Sequence, residues 1–179
     1  MFVVIAGTNR PGSRTLQVAR LVARELEAAG AEARLLDLRE LPPGLFAPEA
    51  YATKPAAFAD WQAAILEAEG IVAVTPEYNG SFPGALKYFI DMLEFPRSLV
   101  GKPSCFVGLA AGEWGGLRAV EQLQMVFHYR KAHLYGERVF IPAVHAALDP
   151  EGRLVDADLA GRFERTLRGF VGWARKHGP

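Results

Sequence analysis

Only one cysteine stands among the 179 residues, Cys105, so no disulfide can form within the chain. It sits in the apolar run SCFVGLA, where a buried and inert thiol is the expectation. Net charge is missing too, because 20 Lys and Arg balance 20 Asp and Glu. A neutral chain has no bulk attraction for nucleic acid or for an anionic membrane surface. No apolar run approaches the roughly 20 residues that a membrane-spanning helix needs. No basic stretch precedes the first apolar run, as a secretory leader would require, so a cytoplasmic protein is expected. Repeats, low-complexity tracts and linkers are also absent, and the length suits one domain, taken as residues 1–179. Histidine is sparse: His128 and His133 stand five apart rather than on an i, i+4 helical face, while His145 and His177 are isolated. No metal ligand is assigned.

What the chain does have is a rhythm. Continuous apolar runs rich in Val and Ile recur at 2–6 (FVVIA), 71–75 (IVAVT), 104–110 (SCFVGLA) and 138–144 (RVFIPAV), with a weaker one at 32–38. Such runs suit a parallel sheet covered on both faces. Helical stripes lie between them: Val18, Leu21, Val22 and Leu26, with Gly30 placed as a C-terminal cap; then Phe58, Trp61, Ile65 and Leu66. A third helix is expected from Pro83 through Leu93, a fourth over Leu117 to Phe127, and a last over Leu159 to Val171. Five strand–helix alternations predict an α/β fold, a doubly wound three-layer sandwich with a five-stranded parallel sheet and helices on both faces. Ligands of such sheets sit at the carboxyl ends of the strands, near the topological switch. The loops 7–15, 76–83 and 111–116 fall there, and they should converge on one crevice.

The first of them, GTNRPGSRT, joins a strand to a helix N-terminus, where unpaired N–H groups and the helix dipole favour an anion. Gly7 and Gly12 allow a tight turn; Thr8, Ser13 and Thr15 add hydroxyls, and Arg10 adds a fork suited to phosphate oxygens. The plainer role for Ser13 or Thr15 is a helix cap. A Walker A loop would need lysine after Gly12, where Ser13 and Arg14 stand. A dinucleotide fingerprint would need glycine where Asn9 stands. A cysteine phosphatase would need its thiol in this loop. The loop suits holding a phosphate monoester rather than cutting one.

The second stretch, TPEYNGSFPGALKYFIDML (75–93), carries Pro76, Gly80 and Pro83, which predict an irregular loop with spare N–H and C=O groups for a flat heteroaromatic ring. Tyr78 offers an aromatic wall, or an ordinary loop anchor. Together, GTNRPGSRT and PEYNGSFPGALKYFID some 60 residues later resemble the NADPH-dependent FMN reductase family, the flavodoxin-like group that includes quinone, azo-dye and chromate reductases. The resemblance runs from Phe2 to about Val144.

That resemblance implies an FMN enzyme that takes electrons from NADPH (or NADH) and passes them, in a ping-pong cycle, to a small-molecule electron acceptor such as a flavin, quinone, azo compound or metal ion. It implies Thr8, Arg10, Ser13, Arg14 and Thr15 around the FMN phosphate, Thr8 standing where the family has Ser, Arg14 where it often has an aromatic, and Thr15 where it often has Asn. Pro76, Glu77, Tyr78, Asn79, Gly80 and Ser81 would line the ring edge. Gly112, Gly115 and Gly116, in AAGEWGGLRAVEQL, would approach its far side, with Trp114 stacking on a substrate or covering the loop. Lys87 matches the family, and Tyr88 replaces its usual Asn. No catalytic side chain is required, because the cofactor carries the chemistry. The rival class is an electron carrier like flavodoxin, but such carriers are strongly acidic and this chain is neutral. The resemblance further implies a homodimer or homotetramer. The Pro-rich segment 41–51 is too long for a simple turn and should pack on something.

Overall fold

The computed structural model describes residues 1–178. Five strands form one parallel sheet, ordered β2-β1-β3-β4-β5. They are β1 (Phe2–Ala6), β2 (Ala33–Asp37), β3 (Gly70–Pro76), β4 (Pro103–Leu109) and β5 (His133–Ile141). The helices are α1 (Arg14–Ala28), α2 (Ala59–Glu67), α3 (Gly84–Met92), α4 (Leu117–Tyr129), the short α5 (Val144–Ala147) and α6 (Ala157–His177).

The strand alternation explains the layers. Phe2, Val4 and Ala6 point into a core shared with Val18, Val22 and Leu26 of α1 and with Phe163, Leu167 and Phe170 of α6. Val3 and Ile5 point the other way, into a core built with α2, α3 and α4 through Ile65, Leu86, Phe89, Leu123 and Phe127. Both faces of β1 are thus buried, which is why its five residues are all apolar. The flavodoxin-like sandwich is the observed fold.

Helix ends follow local chemistry. Gly30 (φ 75°) closes α1: Ala31 N–H donates to Leu26 O and Gly30 N–H to Glu27 O, the paired bonds of a left-handed glycine cap. Two buried cations close α2 and α3. Lys102 Nζ donates to the carbonyls of Leu66 and Ala68, and Arg130 donates to those of Ile90 and Glu94. Burial pulls the Lys102 ammonium below its ordinary pKa, so it costs something to keep that cap charged. Cys105 is fully buried and its thiol is pushed up to about 12, which leaves it inert at neutral pH.

Two sequence expectations shift, and a third is met. The last strand runs over 133–141 rather than 138–144, because Pro142 ends it, and a register irregularity opposite Ser104–Phe106 hides its polar first half from an apolar search. Pro83 precedes α3 as its cap instead of lying in its first turn. The segment 41–51 packs on its own chain: its 3-10 turns bury Ala50, Leu41 and Leu45 join the core shared with α3, and Phe46 and Tyr51 stay exposed beside Tyr88.

Candidate functional site

The sheet reverses direction of winding between β1 and β3, and a cleft of about 660 Å³ opens at the carboxyl ends of the strands there. Its wall is built from residues 10–15, Pro76, Glu77, Tyr78, Ala110, Ala111 and the turn after β5.

Gly7 lets the first loop leave the sheet. Its N–H donates to Val74 O at 2.8 Å, and a Cβ there would stand 2.6 Å from that oxygen, so only glycine fits. Thr8 is buried, with its hydroxyl 3.1 Å from the Tyr78 hydroxyl while accepting the Arg10 N–H at 3.3 Å. It therefore ties the first loop to the second and lies behind the wall, not on it. Ser13 caps α1, its Oγ accepting from Leu16 N–H at 3.4 Å. Among the described residues the N–H groups of Gly12, Ser13, Arg14 and Thr15 find no carbonyl or side-chain acceptor. Their residues line the cleft at the positive end of a fifteen-residue helix whose first turn has no acid. Arg10 is exposed at the rim. Arg14 also borders the cleft and donates from Nη1 to Gln17 Oε1 at 2.8 Å.

The second loop is tighter than its composition suggests. Asn79 (φ 53°) and Gly80 (φ 74°) form a two-residue turn with both centres left-handed, and Tyr78 and Ser81 exchange backbone bonds of 2.8 and 3.0 Å across it. The turn is clamped to α4: Gln122 Nε2 donates to Gly80 O at 2.8 Å, and Ser81 Oγ donates to Gln122 Oε1 at 2.6 Å. Glu77 pairs with Arg118 at 3.2 Å through Oε1, and its N–H donates to Leu109 O. The N–H groups of Glu77, Tyr78 and Ser81 are therefore spent, while among the described residues those of Asn79, Gly80 and Phe82 find no acceptor. Pro76, Glu77 and Tyr78 border the cleft, whereas Asn79, Gly80 and Ser81 stand beside it.

In the third loop Gly115 (φ 57°) and Gly116 (φ 89°) serve packing. A Cβ would come within 2.8 Å of Ile141 N at the first and 2.6 Å of Leu109 N at the second. Gly112 accepts the Ala143 N–H at 3.3 Å. None of the three glycines borders the cleft, where Ala110 and Ala111 stand instead, and Trp114 is 60% exposed outside it. The wall also includes Gln17, Leu109, Val144 and His145, which sequence reasoning did not single out. His145 comes into place because β5 stops at Pro142 and Ala143 turns left-handed (φ 44°). That proline was the one available signal.

Residues 1–146 match the family model of the NADPH-dependent FMN reductases. The chain belongs to that family. It is 31% identical over 176 residues to an NAD(P)H-dependent FMN reductase of Pseudomonas aeruginosa, covering 96% of this chain and 94% of that protein. A quinone reductase of Escherichia coli is 31% identical over 174 residues, 94% of this chain and 92% of its own. Among solved structures FerB, a flavoenzyme NAD(P)H:(acceptor) oxidoreductase from Paracoccus denitrificans, superposes with a TM-score of 0.85 at 25% identity, covering 99% and 98% of the two chains. This FMN reductase family member is a flavin-dependent oxidoreductase whose cofactor is FMN and whose reductant is NADPH or NADH.

The residues present fit FMN on independent grounds. Four unpaired N–H groups at a helix pole match a phosphate monoester, and the cleft volume lies in the range of cofactor pockets. No helix among the described residues is long and apolar enough to cross a membrane.

Proposed function

We propose that the cleft holds FMN with its phosphate on the N–H groups of residues 12–15 and on Arg10, and its ring along Pro76–Tyr78 and Ala110–Ala111. When bound, FMN supplies the capacity to take a hydride and to give it up again. The chain's own work is then positional. The α1 pole neutralises the anionic tail, and the Thr8–Tyr78 strap fixes the distance between tail and ring. The tied second and third loops exclude rearrangement at the ring edge. Exposed residues at the rim, including Arg10, Ala111 and His145, leave the cleft open to solvent on one side, which supports one entry used in turn by NADPH and by an oxidised acceptor. The reading is a ping-pong reductase of small acceptors such as quinones, free flavin, azo compounds or oxidised metal ions.

The unpaired N–H groups carry this reading. The test is the visible spectrum of the purified protein before and after each donor. Rapid bleaching by NADPH supports the reductase; a flavin that no nicotinamide reduces points to an electron carrier; a colourless protein that takes up no FMN ends the reading. Parallel double-reciprocal plots against quinone check the ping-pong order.

We also infer a homo-oligomer, dimer or tetramer, acting in the cytoplasm without nucleic acid or membrane as partner. Phe95, Met125 and Tyr129 are 65%, 71% and 76% exposed on one groove between α3 and α4, more apolar surface than a lone subunit usually shows in one place. Sedimentation equilibrium checks the assembly.

A further inference from the structure

The cleft carries more positive charge than one phosphate monoester needs. The four N–H groups and Arg10 already offer an FMN phosphate a donor for every oxygen. Arg14 comes on top of these. It is the first residue of α1, where a cation faces the positive end of the dipole and costs stability, and no acid in that turn offsets it. Among the described residues it makes no ion pair. Its side-chain bond runs to Gln17, three residues on, so the guanidinium is drawn back along the first turn, roughly 4.5 Å from the pole by helical rise. That places it beside the cleft rather than ahead of the helix. His145 borders the same cleft from the turn after β5, which is pinned by Ala143 N–H to Gly112 O and Val144 N–H to Ala110 O.

We propose that Arg14, Gln17 and His145 form a second anion subsite that takes the 2′-phosphate of NADPH and sets preference for NADPH over NADH. The inference rests on the reading that the cleft binds FMN and admits a nicotinamide dinucleotide. A planar guanidinium grips a phosphate monoester with two parallel bonds, and a ribose 2′-hydroxyl offers it no charge. Gln17 Oε1 accepts from Arg14, which leaves its amide N–H groups free to donate to the same phosphate. The pyrophosphate common to both dinucleotides cannot discriminate between them, so selectivity requires such a separate place.

The experiment is calorimetry of the FMN-loaded protein with 2′,5′-ADP and with 5′-AMP, which differ only in the 2′-phosphate. The first should bind ten-fold tighter or more, as a charge-assisted pair implies. Arg14→Gln should erase that ratio, Arg14→Lys should keep part of it, and Gln17→Ala should fall between. The ratio of kcat/KM for NADPH over NADH should fall with it, and FMN affinity should change far less. Equal affinity of the wild type for the two probes overturns the subsite. So does an Arg14→Gln variant that loses FMN as strongly as 2′,5′-ADP, because Arg14 then serves the FMN phosphate. If the protein takes up no FMN, or neither donor bleaches it, the functional reading falls, and the same two probes titrated into the apoprotein judge the subsite separately.

Discussion

The first loop and the other two are built on opposite plans. Residues 12–15 leave four N–H groups unspent on the cleft wall, while the second and third loops are tied to α4, to the end of β4 and to the turn after β5. The N–H groups that Asn79, Gly80 and residues 111–116 keep unpaired among the described residues belong to residues that, Ala111 apart, do not border the cleft. Tyr78 bonds Ser81, Gln122 holds Gly80 and Ser81, Arg118 holds Glu77, and Gly112 holds Ala143. A group already bonded within the protein offers a ligand only an exchange, whereas an unpaired N–H offers a whole bond. Because residues 12–15 border the cleft with unpaired N–H groups and residues 79–81 and 112–116 do not border it, the first loop should set affinity for the anionic tail, and the other two should set shape.

Substitutions that separate shape from affinity test this contrast. The largest effect belongs to the tied side. Gly116→Ala combines a left-handed backbone with a Cβ 2.6 Å from Leu109 N, and backbone cannot swing away as a flexible side chain can. Strain and overpacking together should cost about 3 kcal/mol of stability, read by denaturant unfolding. Gly12→Ala makes the internal comparison. Its φ is 64°, but its Cβ would meet nothing within 4 Å, so about 1 kcal/mol is expected. Equal costs at the two glycines would mean that the third loop is no more constrained than the first.

On the open side, Arg10→Ala should weaken FMN by roughly 1–3 kcal/mol, about ten- to a hundred-fold, with little change in unfolding, as fits an exposed side chain bonded to nothing else. Equilibrium dialysis of FMN reads it, and an unchanged affinity would remove Arg10 from the phosphate. Thr8→Val cuts the strap between the two plans. Losing the bond to the Tyr78 hydroxyl should cost about 1–2 kcal/mol of stability. Tyr78→Phe should cost somewhat less, because Thr8→Val also removes the acceptor of the Arg10 N–H, and the double variant should add little to Thr8→Val because the two changes share one bond.

Much of this was legible beforehand, and for physical reasons. A strand covered on both faces must be apolar throughout, so FVVIA and IVAVT announce β1 and β3 without ambiguity. A loop leading into a helix must leave N–H groups unpaired, so residues 7–15 announce an anion site. What stayed hidden depends on contacts distant in sequence. Nothing near Thr8 says that its hydroxyl is turned toward Tyr78, seventy residues away. Gln122 is a surface position on α4 until the second loop lands on it. The first half of β5, HLYGE, is exposed or half-buried and carries no apolar period, so its strand begins where no pattern marks it. His145 reaches the cleft through a left-handed alanine that no propensity would choose.

The smallest expected effect serves as a control on the whole contrast. Glu25 lies between α1 and α6, far along the helix from both plans. Burial, reinforced by the Glu164 carboxylate, holds its carboxyl above the ordinary value, against the opposing pull of Arg24 and Arg168. The folded state thus binds this proton more tightly than the unfolded chain does. Its contribution to stability is fully present below the unfolded pKa and is lost as pH rises through the folded one. Above the folded pKa the carboxylate is mildly unfavourable, so Glu25→Gln should raise the Tm there by about 1 °C, a gain that disappears as the pH falls below the unfolded pKa. FMN affinity should match the wild type on both sides of that transition. A shift in affinity that followed the Tm would mean that the α1 pole responds to the packing of its far half, and the division between loops that bind and loops that shape would then extend through the helix rather than stop at its first turn.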